Sequence, residues 1–460
     1  MRGVVKRQAV KKIAFALALA AFASAGAAEL KDLKLKARTD KANPIDYKVG
    51  ETIRFDFFLD GVKELPEAAK AKAPLKVKWT RTGDDGVKET GVDDISLEKG
   101  FSIETKLGVP GIVRLEAQLV GADLSKFESV KRSQWEKGIQ FSGGAGAETE
   151  KMVLTTKEPA DFDAFWREAK AKLAAVPVRA RLTDVTPGKL KGRYKVCAVE
   201  IDCFGPRPAT GWLTMPENAR ERSLPAKARF DGYNGNDFHL PKVPEYGSGD
   251  CISLHVNAHG YEMVGHDEQY YRDYGNKVNG IVPGAPKRAT YALEPSDYDC
   301  PTNTYFYYMA LRVMRAFDYL KTLPQWDGKT LVASGGSQGG LQTMWAAGLV
   351  AGLSEASPGI TWGCDIGCPR NGDGPYPSRT WGIPPVPGAA YFDAVLHAKR
   401  VPAVCKVEIT RLGMGDYTCP PRGVLLSYYS LNCPAKANLV QGSTHGYTPP
   451  QPNQTFTISK

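Results

Sequence analysis

One stretch constrains this chain more than any other: Lys329 to Leu349, KTLVASGGSQGGLQTMWAAGL. Thr330-Leu331-Val332-Ala333 is a short apolar run of the kind a buried parallel strand shows. Gly335-Gly336-Ser337-Gln338-Gly339-Gly340 must turn sharply, and helix formers follow through Met344, Trp345, Ala346 and Leu349. Strand, tight turn and helix is the setting that gives a Gly-x-Ser-x-Gly pattern its chemical meaning. Glycines around Ser337 let the helix close onto the strand. That lifts the hydroxyl clear of the sheet and puts the first helical amides beside it, ready to stabilise an oxyanion. The competing reading is a glycine-rich turn with an incidental serine, which requires no partners elsewhere in the chain.

At 460 residues the chain is long for one domain and comfortable for two. Its first 28 residues stand apart. Arg2, Lys6, Arg7, Lys11 and Lys12 form a basic start, and Ile13 to about Ala25 is an alanine-rich apolar core too short to span a bilayer comfortably. Ala25-Gly26-Ala27 or Ala23-Ser24-Ala25 supplies a small-x-small cleavage site, so residues 1–28 read as a signal peptide and the mature protein as exported, periplasmic or secreted. The formal net charge of +10 includes those five cations, which leaves about +5 and no case for nucleic acid. Stable membrane insertion is not expected either. All nine cysteines fall after residue 196, an odd number that leaves at least one thiol over in an oxidising compartment. Cys364-x-x-x-Cys368 lacks the spacing of a zinc knuckle, so no metal is expected.

From 29 to 142 the pattern has period two. Ile53, Phe55, Phe57 and Leu59 alternate with Arg54, Asp56 and Phe58. Leu75, Val77 and Trp79 alternate with lysines, and Val113, Leu115, Ala117 and Leu119 with polar residues. Such strands predict a small β-sandwich, Ig-like in character, serving as a structural module or a carbohydrate-binding one. Gly143 to Glu150 reads as a flexible linker. Residues 151–460 then alternate strands with helices, which argues for an α/β domain whose mostly parallel sheet is covered by helices on both faces. Phe162, Phe165, Trp166, Ala169 and Leu173 share one helical face, Tyr305 to Leu323 is a second helix, and Glu262 to Asp299 is a polar insertion. Ala228 to Gly235 is a strand entering a glycine-bracketed turn, the place where hydrolases of this kind find a second oxyanion amide.

A serine hydroxyl is a weak nucleophile and needs a base that is itself oriented by a carboxylate. In α/β-hydrolases the chain order is Ser, then Asp or Glu, then His. Two histidines follow Ser337. His397 sits in a helical run and reads as structural; His445 sits in a loop after the apolar strand near Asn438 and is the candidate base. Three acids compete: Asp365, Asp393 and Asp416. Asp416 follows the strand Val407–Leu412, at a strand end of the kind where catalytic groups gather, and is preferred, with Asp365 as the fallback.

Together these stretches resemble a known family. They are Phe162-Asp-Ala-Phe-Trp166, Gly232-Tyr-Asn-Gly235, Arg315-Ala-Phe-Asp318, Gly335-Gly-Ser-Gln-Gly-Gly340, Tyr391-Phe-Asp393, Gly413-Met-Gly-Asp-Tyr-Thr-Cys-Pro-Pro421 and the late His445. The resemblance is to the acetyl xylan esterase and cephalosporin C deacetylase family, carbohydrate esterase family seven, over roughly 158–449. It implies Ser337 as nucleophile, His445 as base, Asp416 as its orienting partner, and the amides of Tyr233 and Gln338 as the oxyanion hole. It also implies removal of acetyl groups from sugars without a cofactor. His259-Gly260-Tyr261 replaces the family's Arg-Gly-Gln, and Gly446 stands where an acidic residue usually follows the histidine. Those departures, with the insertion and the sandwich, bear on the substrate and on the family's ring-shaped homo-oligomer. Tyr376, Trp381 and Tyr391 could offer faces for sugar stacking. Two other readings stay open: a hydrolase of the same fold acting on another ester or a peptide, and a polysaccharide-binding protein with an inert hydrolase domain.

Overall fold

The computed structural model describes residues 32–64, 75–126, 138–233, 238–279, 290–368 and 382–460. The export segment at 1–28 lies outside these, as do Asn234, Gly235, Tyr376 and Trp381.

The described residues open with seven strands: β1 (Lys34–Thr39), β2 (Ile53–Asp60), β3 (Leu75–Gly83), β4 (Glu89–Ile95), β5 (Phe101–Thr105), β6 (Gly111–Gly121) and β7 (Gln140–Ala147). They form two antiparallel sheets, ordered β1-β2-β5 and β4-β3-β6-β7. Ile53, Phe55 and Phe57 of one sheet and Val77, Val113, Leu115 and Leu119 of the other share a single core. Period-two alternation puts these apolar side chains on the inner faces and leaves the polar ones outside.

Residues 143–147 are not a linker. Glycine content suggested flexibility, yet Gly143 to Ala147 pair with β6 and are buried. Glycine is used there because neighbours leave no room for a side chain: a Cβ would meet Gln441 Oε1 at 2.1 Å from Gly143, the Val113 carbonyl oxygen at 2.6 Å from Gly144 and Thr149 Cγ2 at 2.4 Å from Gly146.

The second half holds α1 (Phe162–Ala174), β8 (Ala180–Asp184), β9 (Tyr194–Ile201), β10 (Ala209–Pro216), β11 (Leu224–Phe230), β12 (Ile252–Asn257), α2 (Glu268–Val278), α3 (Tyr305–Thr322), β13 (Trp326–Gly336), α4 (Gln338–Leu349), β14 (Glu355–Gly359), α5 (Ala394–Ala398), β15 (Lys406–Gly413), α6 (Pro421–Ser430), β16 (Ala435–Val440) and β17 (Thr455–Ser459). One ten-stranded sheet runs β17-β16-β15-β14-β13-β11-β12-β10-β9-β8. Its six central strands are parallel and its outer strands antiparallel. This is an α/β-hydrolase fold, preceded by the small β unit.

Among the described residues helices cover both faces, but unequally. Ala226, Ala228, Phe230, Val407, Ile409, Ala435 and Ala437 join the core with α1 and α3 to α6. On the opposite face Lys227, Arg229, Lys406, Glu408, Thr410 and Lys436 are exposed. There α2 covers the sheet through Trp212 and Ala198, with Tyr271 and Tyr274 above them. So the Glu262–Asp299 insertion contributes a packed helix, not only loop. The charged alternation of Lys406-Val-Glu-Ile-Thr in the sequence is what a strand with one wet face shows.

His397 lies inside this core with no exposure. Its Nε2 meets the Tyr391 carbonyl at 3.0 Å, and its buried Nδ1 has no hydrogen-bond partner among the described residues. Burial pushes its pKa down to about 3. An unfolded histidine binds its proton below about pH 6.5, so as pH falls from there towards 3 the unfolded state gains a proton that the folded state refuses. Stability is therefore lost as pH falls. His397→Gln is expected to weaken that dependence, so that wild type loses about 2 kcal/mol more than the variant between pH 7.5 and pH 5. Denaturant melts at the two pH values check it; parallel curves would contradict it.

Candidate active site

Ser337 stands between β13 and α4 with φ 59°, a positive value that an L-residue adopts at a cost. Close packing enforces the turn. A Cβ on Gly339 would fall 2.2 Å from the Phe230 carbonyl oxygen, so only glycine lets α4 reach β11 there. The Ser337 amide donates to the Gly359 carbonyl at 2.9 Å and its carbonyl accepts from Trp362 at 3.0 Å, which fixes the residue from both sides. Gln338 is the first residue of α4, and such an amide has no partner within its own helix. Gln338 itself is fully buried, its Oε1 accepting from Tyr291 Oη at 2.7 Å.

The turn after β11 comes beside the serine: a Cβ on Gly232 would lie 3.8 Å from Ser337 Cβ. Tyr233 follows, its ring stacked on Tyr291 at 4.9 Å and edge-on to Trp362 at 5.3 Å, its hydroxyl bonded to Thr290. Both residues expected at the oxyanion position thus flank Ser337.

Asp416 is wholly buried in the loop after β15. Its Oδ1 accepts from the amides of Thr418 at 3.0 Å and Cys419 at 2.9 Å, and its Oδ2 lies 3.0 Å from His445 Nδ1. Arg411 Nη2 donates to the His445 carbonyl at 3.1 Å, steadying the histidine loop from beneath. The other acids lie elsewhere. Asp365 accepts from the amides and hydroxyls of Thr155 and Thr156. Asp393 caps α5 and accepts from Ile366, and burial together with Asp365 pushes its pKa up to about 7.

Cys419 was not singled out by the sequence, and it stands in the middle of the site. Burial, with the Asp416 charge beside it, holds its thiol's pKa well above the usual value. Its Sγ, an Asp416 oxygen and a His445 nitrogen all lie within 4.8 Å of one another. Among the described residues this is the one His, Cys and carboxylate cluster close enough to hold a metal ion. A protonated thiol suits packing better than ligation there. His259, at the departure from the family's Arg-Gly-Gln, is buried against Tyr305 Oη at 2.7 Å, and burial lowers its pKa to about 3. It is a neutral core residue.

The β unit grips both loops of the Asp416–His445 pair. Gln441, just ahead of His445, accepts from the Gly144 amide at 3.0 Å and donates to the Gly144 carbonyl at 2.7 Å. Ser142 Oγ donates to the Gly415 carbonyl at 3.3 Å. A Cβ on Gly415 would sit 1.9 Å from the Ser142 carbonyl oxygen, so any side chain there forces the Asp416 loop off β7. Gly415→Val is expected to lower kcat on an aryl acetate by about 10²-fold, the typical cost of a displacement near 1 Å. Steady-state kinetics on folded variant, judged by circular dichroism, measure it. An unchanged kcat would mean that β7 merely abuts the loop.

The comparisons with known proteins converge on one group. The acetyl xylan esterase (AXE1) family matches residues 148–367, a span that holds Ser337 and stops before Asp416 and His445. The resemblance to acetyl xylan esterases holds. Acetyl esterase Axe7A of Xylanibacter ruminicola is 28% identical over 440 residues, spanning 89% of this chain and 86% of that protein. The solved acetyl xylan esterase from Paenibacillus sp. R4 superposes with a TM-score of 0.50 at 22% identity, covering 65% of this chain and 93% of its own. Acetyl xylan esterase 1 from Thermoanaerobacterium sp. JW/SL YS485 gives a TM-score of 0.50 at 15% identity, covering 66% and 94%. These two structures share the hydrolase fold with this chain. Among the described residues no helix is long and apolar enough to cross a membrane.

Proposed function

We propose that this protein is an exported serine carbohydrate esterase that removes acetyl groups from acetylated sugars or polysaccharides, acetyl xylan among them. Ser337 Oγ loses its proton to His445 Nε2 and attacks the acetyl carbonyl. Asp416, bonded to Nδ1, keeps the imidazole in the tautomer that leaves Nε2 free to accept. The amides of Tyr233 and Gln338 receive the developing oxyanion. Collapse of the tetrahedral intermediate gives acetyl-Ser337 and the sugar hydroxyl, which takes the proton from His445. Water, deprotonated by the same histidine, then attacks the acyl carbon and releases acetate.

The observations carrying this reading are the 3.0 Å Asp416–His445 contact and a serine held on a positive-φ turn between strand and helix. The acetyl specificity rests on the family and on the relatives named above; export rests on the basic, apolar N-terminal segment. The reading needs no cofactor, and a homo-oligomer is compatible with it.

A substrate panel tests it. Acetate is expected from both acetylated xylan and a simple aryl acetate. Turnover of the aryl ester alone would keep the mechanism and move the natural substrate to another ester; no turnover of either would return the balance to a binding protein.

A further inference from the structure

A cavity of about 590 Å³ opens between the β unit and the candidate catalytic loops. That volume lies within the roughly 300–1,000 Å³ of small-molecule sites. One wall is the outer face of β3, β6 and β7, presenting Lys78, Arg114, Glu116 and Gln140, with Lys126 just beyond β6; the other is the loop carrying Thr418 and the loop carrying His445. The wall is polar because these residues occupy the outward positions of strands whose inward positions fill the core.

Its charge is uneven. Arg114 pairs with Glu116, and its guanidinium lies 3.5 Å over the Tyr417 ring, so that ion pair is spent on joining the wall to the Asp416 loop. Lys78 and Lys126 remain, both exposed, and among the described residues neither has an ion-pair partner. The cavity therefore combines neutral hydrogen-bonding groups, such as Gln140 and Thr418, with two uncommitted cations. It ends on His445.

We propose that this cavity is a glycan subsite selecting acidic substrates: acetylated oligosaccharides that carry a uronic-acid carboxylate near the scissile ester. The proposal rests on the esterase reading above and adds to it the class of glycan. A chain whose acetyl ester reaches Ser337 passes His445 and lays its neighbouring sugar units along the β wall. There Lys78 and Lys126 meet the carboxylate and the neutral side chains meet hydroxyls. The β unit thus acts as half of the binding site, not as a spacer.

The test compares kcat/KM for two acetylated oligosaccharides of equal length, one neutral and one bearing a uronic acid, with an aryl acetate assayed on wild type. Exposed charge pairs are each worth a few-fold, so the acidic substrate is expected to be preferred about fivefold to tenfold at low salt, with the preference shrinking as salt screens it. In a Lys78→Gln/Lys126→Gln double variant the ratio is expected to fall towards one. Lys406→Gln/Lys436→Gln makes the same charge change on the exposed sheet face and is expected to keep the wild-type ratio. A wild-type ratio of one, or a ratio unmoved by the first pair or equally reduced by the second, overturns the proposal while aryl acetate turnover keeps the esterase reading standing. Absence of turnover on all three substrates overturns both.

Discussion

Ser337→Ala is expected to abolish acetate release, lowering kcat on an aryl acetate by on the order of a million-fold, as loss of a catalytic nucleophile does elsewhere. The alanine keeps the turn, since the positive φ is imposed by packing of α4 on β11 and not by the hydroxyl. It removes the nucleophilic hydroxyl and nothing else. Cys419 is no substitute: its thiol is held protonated by burial, and only a thiolate attacks well. The melting temperature is expected to stay close to wild type, since strained catalytic turns seldom contribute stability. A variant retaining a tenth of the activity would remove Ser337 from the mechanism.

Asp416→Asn is expected to lower kcat by about 10⁴-fold while leaving the fold intact. The reason lies in its two oxygens. Oδ1 accepts from the amides of Thr418 and Cys419, so in the variant the amide oxygen must stay there and the NH₂ must turn towards His445. An NH₂ donates to Nδ1, which forces the ring proton onto Nε2, the nitrogen required to take the serine proton. The base is then in the wrong tautomer at every pH where the imidazole is neutral. Measured kcat from pH 6 to 9 is expected to stay low throughout. A loss of only a few-fold would mean that Arg411 and the loop alone orient His445, and that Asp416 is a structural acid.

Legibility in the sequence followed the range of the interaction. The elbow is local: strand, glycines, serine and helix lie within 21 residues of one another, and each small residue answers to a neighbour a few ångströms away. Strand alternation in the β unit was equally local, and the runs from Ile53, Leu75 and Val113 are β2, β3 and β6. Asp416 and His445 were reached by chain order; what brings them together is the adjacency of β15 and β16. Gly143 to Ala147 were misread because glycine has two opposite uses: freedom in a linker, and room for a neighbouring backbone in a packed strand. Only the tertiary contacts with Gln441 and Met414 tell these apart. The charges of β11, β15 and β16 mark strands exposed on one face among the described residues, a detail that the rule of helices on both faces does not resolve. Arg422 shows the same limit. It lies buried with Asp84 of the β unit at 4.0 Å and Asp365 at 3.8 Å, and no local pattern announces a residue whose partners are so far away in the chain.

The central claim is that an acyl group passes through Ser337. The most direct measurement mixes the protein with excess aryl acetate, quenches in acid within the first turnovers, and maps the digested chain by mass spectrometry. An acetyl increment on the peptide carrying Ser337, absent from Ser337→Ala, is the predicted result. Steady release of acetate with an unmodified Ser337 peptide, or an acetyl group on another residue whose loss stops turnover, would contradict it.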